Sequence, residues 1–477
     1  MLPVLFPIGA LLAGIALLLL GSGLLNTLIS LRGSLEGFSD ATLGLLGSAY
    51  FLGFFLGTFT SPALIRRIGH IRAFAFFGAV AAACVLAHAL VVNPWVWMGL
   101  RVLTGIALVG FYAVVESWLN GTTPSESRGK VFAVYMVVNL VALAGAQQLL
   151  RLDSPSAFTL FAVAAIFVCI SLLPVTATRL PPPALSDAPP HDLRRLWQAA
   201  PVAFTGALAS GLAMGAFWSL GPLYGERSGL DPAQIATMMT TAIVGGALLQ
   251  WPIGHFSDRF DRRAVLSVVA ALAVAAAAAM AAFGGNAPAL LGGIFVFGAA
   301  AFAVYPVVVA HLIDHLHQDE ILSGNAGILL LHGVAAALGP AFAGWLMSRI
   351  GAIALPLHFA LAFAPVALFA LVQARRGADE IVDEAAHFTP MLRTSPTVLE
   401  MVSPEAEVEP DAETAPASET EADADADADA FSDDPGAEPA PPAREAAAAP
   451  DTAEDTDTAF GAGTAEGPDA AARPAAA

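Results

Sequence analysis

The sequence predicts an all-α integral membrane protein whose twelve transmembrane helices form two pseudo-repeated six-helix bundles. Three observations predict it. First, 57% of the 477 residues are hydrophobic and only 13% are charged, whereas soluble domains carry about 25% charged residues. Second, the residues up to position 376 fall into long apolar runs, and about 20 such residues cross a hydrocarbon core of about 30 Å. Third, landmarks recur at a fixed offset. Arg66-Arg67-Ile68-Gly69-His70-Ile71-Arg72 reappears as Asp258-Arg259-Phe260-Asp261-Arg262-Arg263, and Arg67 and Arg259 are 192 positions apart. The helix-start signals Ser39-Asp40-Ala41-Thr42 and Asp231-Pro232-Ala233-Gln234 repeat at about the same spacing. So do Tyr112-Ala113-Val114-Val115 and Tyr305-Pro306-Val307-Val308.

Inside hydrocarbon every backbone polar group must be satisfied within its own segment, so the spans are helices. In order they are expected at 5–30, 42–64, 73–92, 95–117, 130–150, 157–177, 200–224, 233–255, 264–283, 288–313, 323–346 and 352–373. The polar stretch from Arg179 to Gln198, with Pro181-Pro182-Pro183 and Pro189-Pro190, reads as a loop between the halves. The expected organisation is an N-terminal bundle at 1–178, a linker at 179–199, a C-terminal bundle at 200–376 and a tail at 377–477.

Basic residues accumulate on the cytoplasmic face of a membrane protein. One set of alternate loops holds thirteen of them, including Arg66, Arg67, Arg72, Arg259, Arg262 and Arg263, and the other holds only Arg32, Arg151, Arg227 and Arg349. Both termini are therefore expected in the cytoplasm, with the chain multi-pass in a bacterial cytoplasmic (inner) membrane. The first run lacks a basic lead-in and is longer than a signal-peptide core, so it reads as an uncleaved span. Cys84 and Cys169 fall inside spans without metal-ligand spacing and read as small buried apolar residues.

From Gly377 onward 26 acidic residues face Arg393, Arg444 and Arg473, so the overall charge of −19 belongs to the tail. Its Ala-Asp alternation with surrounding Pro cannot bury enough apolar area to offset ordering entropy, and it reads as a disordered, solvating segment.

An ionisable side chain inside a span is costly and becomes a functional candidate. Arg101, about two turns into the fourth span, reads as a cavity-facing charge in solute or proton handling, or as an anchor snorkelling to the outer interface. Glu116 sits near the inner end of the same span, more than about 20 Å from Arg101 at about 1.5 Å per residue. It reads as a partner of a basic residue or a helix cap, or as a proton carrier. The amides Asn26, Asn139, Gln147, Gln148, Gln250 and Asn325 can bond between helices or to a ligand. Trp218 and Tyr305 can wall a cavity or anchor an interface. His332 is a coupling candidate because imidazole titrates near neutrality, whereas His311, His315 and His317 beside Asp314 and Asp319 read as a solvated loop. In Gly254-His255-Phe256-Ser257-Asp258-Arg259-Phe260-Asp261-Arg262-Arg263 the glycine permits close helix approach, Asp258 can cap a neighbouring helix, and the arginines anchor the loop. Recurrence around Arg67, Gly69 and Arg72 favours a gating latch over a plain anchor. Gly333, Gly339-Pro340 and Gly344 in the eleventh span permit tight packing or a bend.

Over residues 1–376 these features resemble the major facilitator superfamily. That family's loop signature is Gly, three residues, Asp, Arg, one residue, Gly, Arg, then Arg or Lys. Gly254, Asp258, Arg259, Arg262 and Arg263 meet it, with Asp261 in place of the second glycine; in the first half Arg67, Gly69 and Arg72 fit, while Pro62 and Arg66 replace the leading glycine and the aspartate. The family's fourth-span signature, an Arg four residues before a Gly, falls on Arg101 and Gly105. The fifth-span Gly/Pro signature of many drug–proton antiporters is absent from Val131 to Leu150. Val115-Glu116-Ser117, Arg128-Gly129-Lys130, Tyr135-Met136, Gln250-Trp251-Pro252-Ile253-Gly254 and Tyr305-Pro306-Val307 look like the YcaD-type branch of bacterial facilitators.

The resemblance implies a midplane site between two rocking bundles and secondary transport of a small organic solute. Proton-coupled efflux is the expected mode, proton-coupled uptake the alternative, and a non-transporting sensor or scaffold that uses the tail the rival of another class. A phosphate-cradling Gly-Lys-Ser/Thr loop is absent from the sequence, and neither enzymatic chemistry, a cofactor, a metal nor a nucleic-acid partner is expected. The expected partners are the solute, protons and the lipid bilayer, with a monomer as the default for this fold.

Overall fold

A computed structural model describes residues 2–124, 127–177, 193–377, 382, 386 and 388–391. The chain divides after Val408 into a unit holding every described helix and a second unit, Glu409–Ala477, outside the described residues. The prolines of the linker and the acidic alternation of the tail also fall outside them; the disorder expected from Gly377 onward is corrected at residues 386 and 388–391, where Met391 is buried and the Ala386 and Phe388 amides are hydrogen-bonded.

Among the described residues twelve helices are long and apolar enough to cross a membrane. In chain order they are α1 (Leu2–Leu35), α2 (Asp40–Ile68), α3 (His70–Leu90), α4 (Pro94–Thr122), α5 (Arg128–Gln148) and α6 (Phe158–Thr176), then, after a short α7 (Leu193–Ala199), α8 (Pro201–Arg227), α9 (Pro232–Ser257), α10 (Arg262–Phe283), α11 (Ala287–Ile313), α12 (Ile321–Ile350) and α13 (Ala354–Arg376). Most run a few residues past the apolar stretch because the backbone stays helical until a cap stops it. Ser39 accepts a hydrogen bond from the Thr42 amide at the start of α2, and Asp231 and Gln234 form a reciprocal capping box at α9. Asn93 and Asn286 cap α4 and α11 in the same way and extend the repeat. The expected linker loop is helical over its last seven residues, as α7, with Leu196 buried.

Within the first half α1 packs on α5 and α6, α3 on α4 and α6, and α2 on α4. In the second, α8 packs on α11, α12 and α13, α9 on α11, and α10 on α11 and α13. The repeat reaches down to single crossings. A Cβ at Gly53 would overlap the Val102 backbone and one at Gly105 the Tyr50 carbonyl; Gly245 and Gly298 stand in the same relation to Phe295 and Ala242, between α9 and α11. Small residues let backbones approach closely where lipid supplies no hydrophobic drive between helices.

The loops rich in Arg, after α2 and after α9, define a basic end of the molecule. The halves meet along α2–α12, α1–α8, α2–α8 and α5–α9, and many of the named contacts lie toward the opposite end. There Arg227 pairs with Asp40 at 2.9 Å, Arg151 donates to Thr237 at 2.6 Å, and Gln148 donates to Thr240 at 2.6 Å. Ser30 donates to the Ser219 carbonyl. Gly44 lies against Pro340 and Gly344, and the Ser48 hydroxyl accepts from the Ala341 amide at 2.9 Å, one residue beyond the proline. The small residues of α12 thus serve close packing, with Gly339 against Leu212 of α8 and Gly344 against α2.

Candidate functional site

Three cavities lie in the interior, one within the first half and two between the halves. The first, about 340 Å³, is lined by Arg101, Asn26, Tyr50 and Thr104; the second, about 460 Å³, by Asn26, Thr27, Tyr112, Gln147 and Trp218; the third, about 450 Å³, by Trp218, Ser210, Phe51, Tyr305, His332 and Met391. Asn26 belongs to the first two and Trp218 to the last two. Tyr112 and Tyr305, the repeated pair, each share one of these two linings with Trp218.

Arg101 is 3% exposed. Its Nη2 donates to Asn26 Oδ1 at 2.8 Å, and the guanidinium lies 4.2 Å from the centre of the Tyr50 ring. A cation over an aromatic face gains electrostatic attraction that grows when both are out of water. At this burial the guanidinium faces Asn26 and Tyr50 in the interior of the first half. Below it the Thr27 hydroxyl donates to Gln147 Oε1 at 2.6 Å, tying α1 to α5. The His332 ring sits 4.7 Å from that of Tyr305.

Arg101, Asn26, Gln147, Trp218 and His332 thus line three cavities that share Asn26 and Trp218 in their walls. Three other candidates stand apart. Glu116 is fully buried toward the basic end of α4 and accepts from the Tyr135 hydroxyl at 2.8 Å. Gln250 donates to the Phe302 carbonyl at 2.9 Å, as a packing amide does. Asn325 is buried within α12. Tyr50, Ser210 and Met391 were not singled out by the sequence; an aromatic, a serine or a methionine in such a chain carries no spacing signal that names its partner.

The basic loops differ from expectation in their mechanics. The residue pressed against Gly254 is Phe388, from beyond α13, so the glycine admits a side chain of the tail and not a helix. Asp258 caps no neighbouring helix: its Oδ1 accepts from Arg262 at 3.3 Å and from the Phe388 amide at 2.8 Å. Arg262 and Arg263 are buried, not laid on the surface, and Arg262 pairs with Asp314 at 2.8 Å. Arg259 is exposed. Asp314 and His311 are buried as well, correcting that part of the expected solvated loop, whereas His317 and Asp319 are exposed. In the first half Gly69 alone joins α2 to α3 at φ 83°, a left-handed backbone that suits glycine. Arg67 and Arg72 are exposed beside it, while His70 bonds Ser117 of α4 at 3.0 Å. Cys84 is buried but Cys169 is exposed on α6, on the outer face of the bundle.

Fold and site together define a polytopic membrane protein with a doubled helical body and a polar, aromatic-walled interior. Comparison with known proteins gives the family. The Major Facilitator Superfamily family model matches residues 11–233 and 203–403. A relative in Escherichia fergusonii, called an uncharacterized MFS-type transporter YcaD, is 30% identical over 345 residues, covering 72% of this chain and 89% of the relative. The chain belongs to the major facilitator superfamily of transporters. Among solved structures, the nucleoside transporter NupG aligns with a TM-score of 0.67 at 14% identity, over 78% of this chain and 100% of that one. A bacterial homologue of the lysosomal transporter Spinster, inward-facing and occupied, gives 0.64 at 15% identity, over 79% and 98%. At such identities these two speak for the fold alone.

Proposed function

We propose that this chain is a secondary active transporter that exports a small organic solute across a bacterial cytoplasmic membrane in exchange for protons, by alternating access. The observation that carries the reading is Arg101, a buried cation bonded to Asn26 and seated over Tyr50, in a first-half cavity that shares Asn26 with a cavity both halves line. The cavity walls suit a solute with a flat apolar body and an acceptor group that a guanidinium or an amide can bond. Glu116, a buried carboxylate bonded by Tyr135, supplies a group able to take up and release a proton. Rocking of one half against the other would break the contacts around Gly44 and Pro340 while closing the basic end. In this reading the basic end and both termini face the cytoplasm. One chain suffices, because both walls of the cavity come from the same polypeptide.

The test is ligand-induced thermal stabilisation of purified protein across a library of metabolites and drugs, with Arg101→Ala alongside. A binder at a hundred times its dissociation constant adds about 2.7 kcal/mol to the native state. A hit lost in the variant supports Arg101 as part of the site; a hit kept in both places the solute elsewhere. In vesicles under a pH gradient the same solute should move against the proton flow, and co-directional movement would replace export with symport.

A further inference from the structure

Beyond α13 the described residues 377, 382, 386 and 388–391 lie at the basic end, their backbone held by side chains and one backbone carbonyl of the second half. Arg263 donates to the Gly377 carbonyl at 2.8 Å and the Asp314 carbonyl accepts from the Val382 amide at 2.9 Å. Asp314 Oδ1 accepts from the Ala386 amide at 2.8 Å, while Arg262 donates to the Ala386 carbonyl. Asp258 Oδ1 takes the Phe388 amide and Gly254 makes room for the Phe388 ring. Gln250 Nε2 reaches the Met391 carbonyl at 3.4 Å. Met391 is itself 3% exposed and forms a wall of the third cavity, together with Phe51 of the first half and Trp218, Tyr305 and His332 of the second.

The geometry points to a plug: Ala386, Phe388 and Met391 form an intramolecular segment that occupies the basic-end entrance of the central cavity and must withdraw before solute passes. Two features favour this over incidental packing. The segment is bound through its backbone amides and carbonyls by Asp314, Arg262 and Asp258, whose side chains belong to the α9–α10 and α11–α12 junctions, so docking ties those junctions together. It also places an apolar side chain between the halves, where closure of the basic end would require the space Met391 fills. Met suits the position, since its unbranched thioether adapts to irregular gaps. The plug is argued as a control on the transport proposed above, yet its test does not depend on any solute.

The test uses the full-length chain with Cys84→Ala and Cys169→Ala, carrying Ser210→Cys as a reporter. Ser210 is fully buried and lines the third cavity beside Met391. Labelling by a water-soluble maleimide is followed in detergent, with and without Phe388→Asp and Met391→Asp. Access to a protected site tracks the population in which its cover is open, and the two acidic substitutions should raise the labelling rate by about tenfold or more. A synthetic peptide of residues 386–391, supplied in excess, should restore protection. Equal labelling of both forms would overturn the plug, as would faster labelling that the peptide leaves unchanged. Faster labelling reversed by peptide, in a protein that moves no solute, would keep the plug and remove the transport reading.

Discussion

At the scale of single residues, the proposed transport divides two tasks between Arg101 and Glu116. Arg101 was legible because a charge inside an apolar run stands out, and burial then makes it interior. Its seat was not legible: Tyr50 lies 51 positions away and an aromatic among apolar residues reads as core. Replacing Arg101 by Ala strands the Asn26 carbonyl and removes the cation from the Tyr50 face. Charge-assisted hydrogen bonds are worth about 1.5–3 kcal/mol, so solute binding through Arg101 should weaken by roughly tenfold to a hundredfold. Equilibrium binding of the first identified solute checks this, with yield and melting of the variant as the control. Arg101→Lys should not rescue it, because an ammonium neither spreads over the ring nor presents the same fork of donors. Glu116→Gln keeps an oxygen for the Tyr135 hydroxyl but cannot ionise. Exchange of labelled for unlabelled solute across vesicles should survive in it, while accumulation driven by a pH gradient should be lost.

Among elements, the helices were legible and their junctions less so. Apolar length and the caps at Ser39 and Asp231 are written in the chain, and each half repeats them. Helix α7 was hidden because seven residues in a proline-rich, polar neighbourhood carry too little periodicity to separate from a loop. The loop after α9 was recognisable by its arginines, yet the partner of Asp258 and Gly254 was not, since Phe388 lies in a stretch whose composition is that of the tail. The crossings of α2 with α4 and α9 with α11 rest on glycines that touch backbone. Overpacking such a contact costs about 1–3 kcal/mol. Gly105→Ala and Gly298→Ala should therefore each lower stability by about that amount, read from denaturation in detergent, whereas Gly99→Ala, where nothing lies within 4 Å, should be neutral or slightly stabilising.

For the whole molecule, the repeat at an offset of 192 and 193 residues announced two halves, but not which faces meet. Pairings across more than a hundred residues leave no local pattern, and the contacts of Arg151 with Thr237 and Gly44 with Pro340 became visible only in three dimensions. Gly44→Val should wedge α2 from α12 at the end opposite the basic loops. Its strain of about 1–3 kcal/mol would shift a two-state equilibrium by roughly fivefold to a hundredfold, at about 1.4 kcal/mol per factor of ten. A cysteine at Ser219, buried beneath that contact, should label correspondingly faster.

Only ten positions separate Arg376, the last residue of α13, from Ala386. Docking of the segment is therefore a unimolecular event, and a short linker gives the attached group an effective concentration of about millimolar. Contacts too weak to hold the same residues as a separate molecule suffice when they are tethered, and a competing free peptide must reach roughly that concentration to match them. Lengthening the tether should dilute the segment only gradually, by about the −3/2 power of its length. Inserting residues between Arg376 and Val382 would thus grade the occupancy of the entrance without touching any residue that makes it.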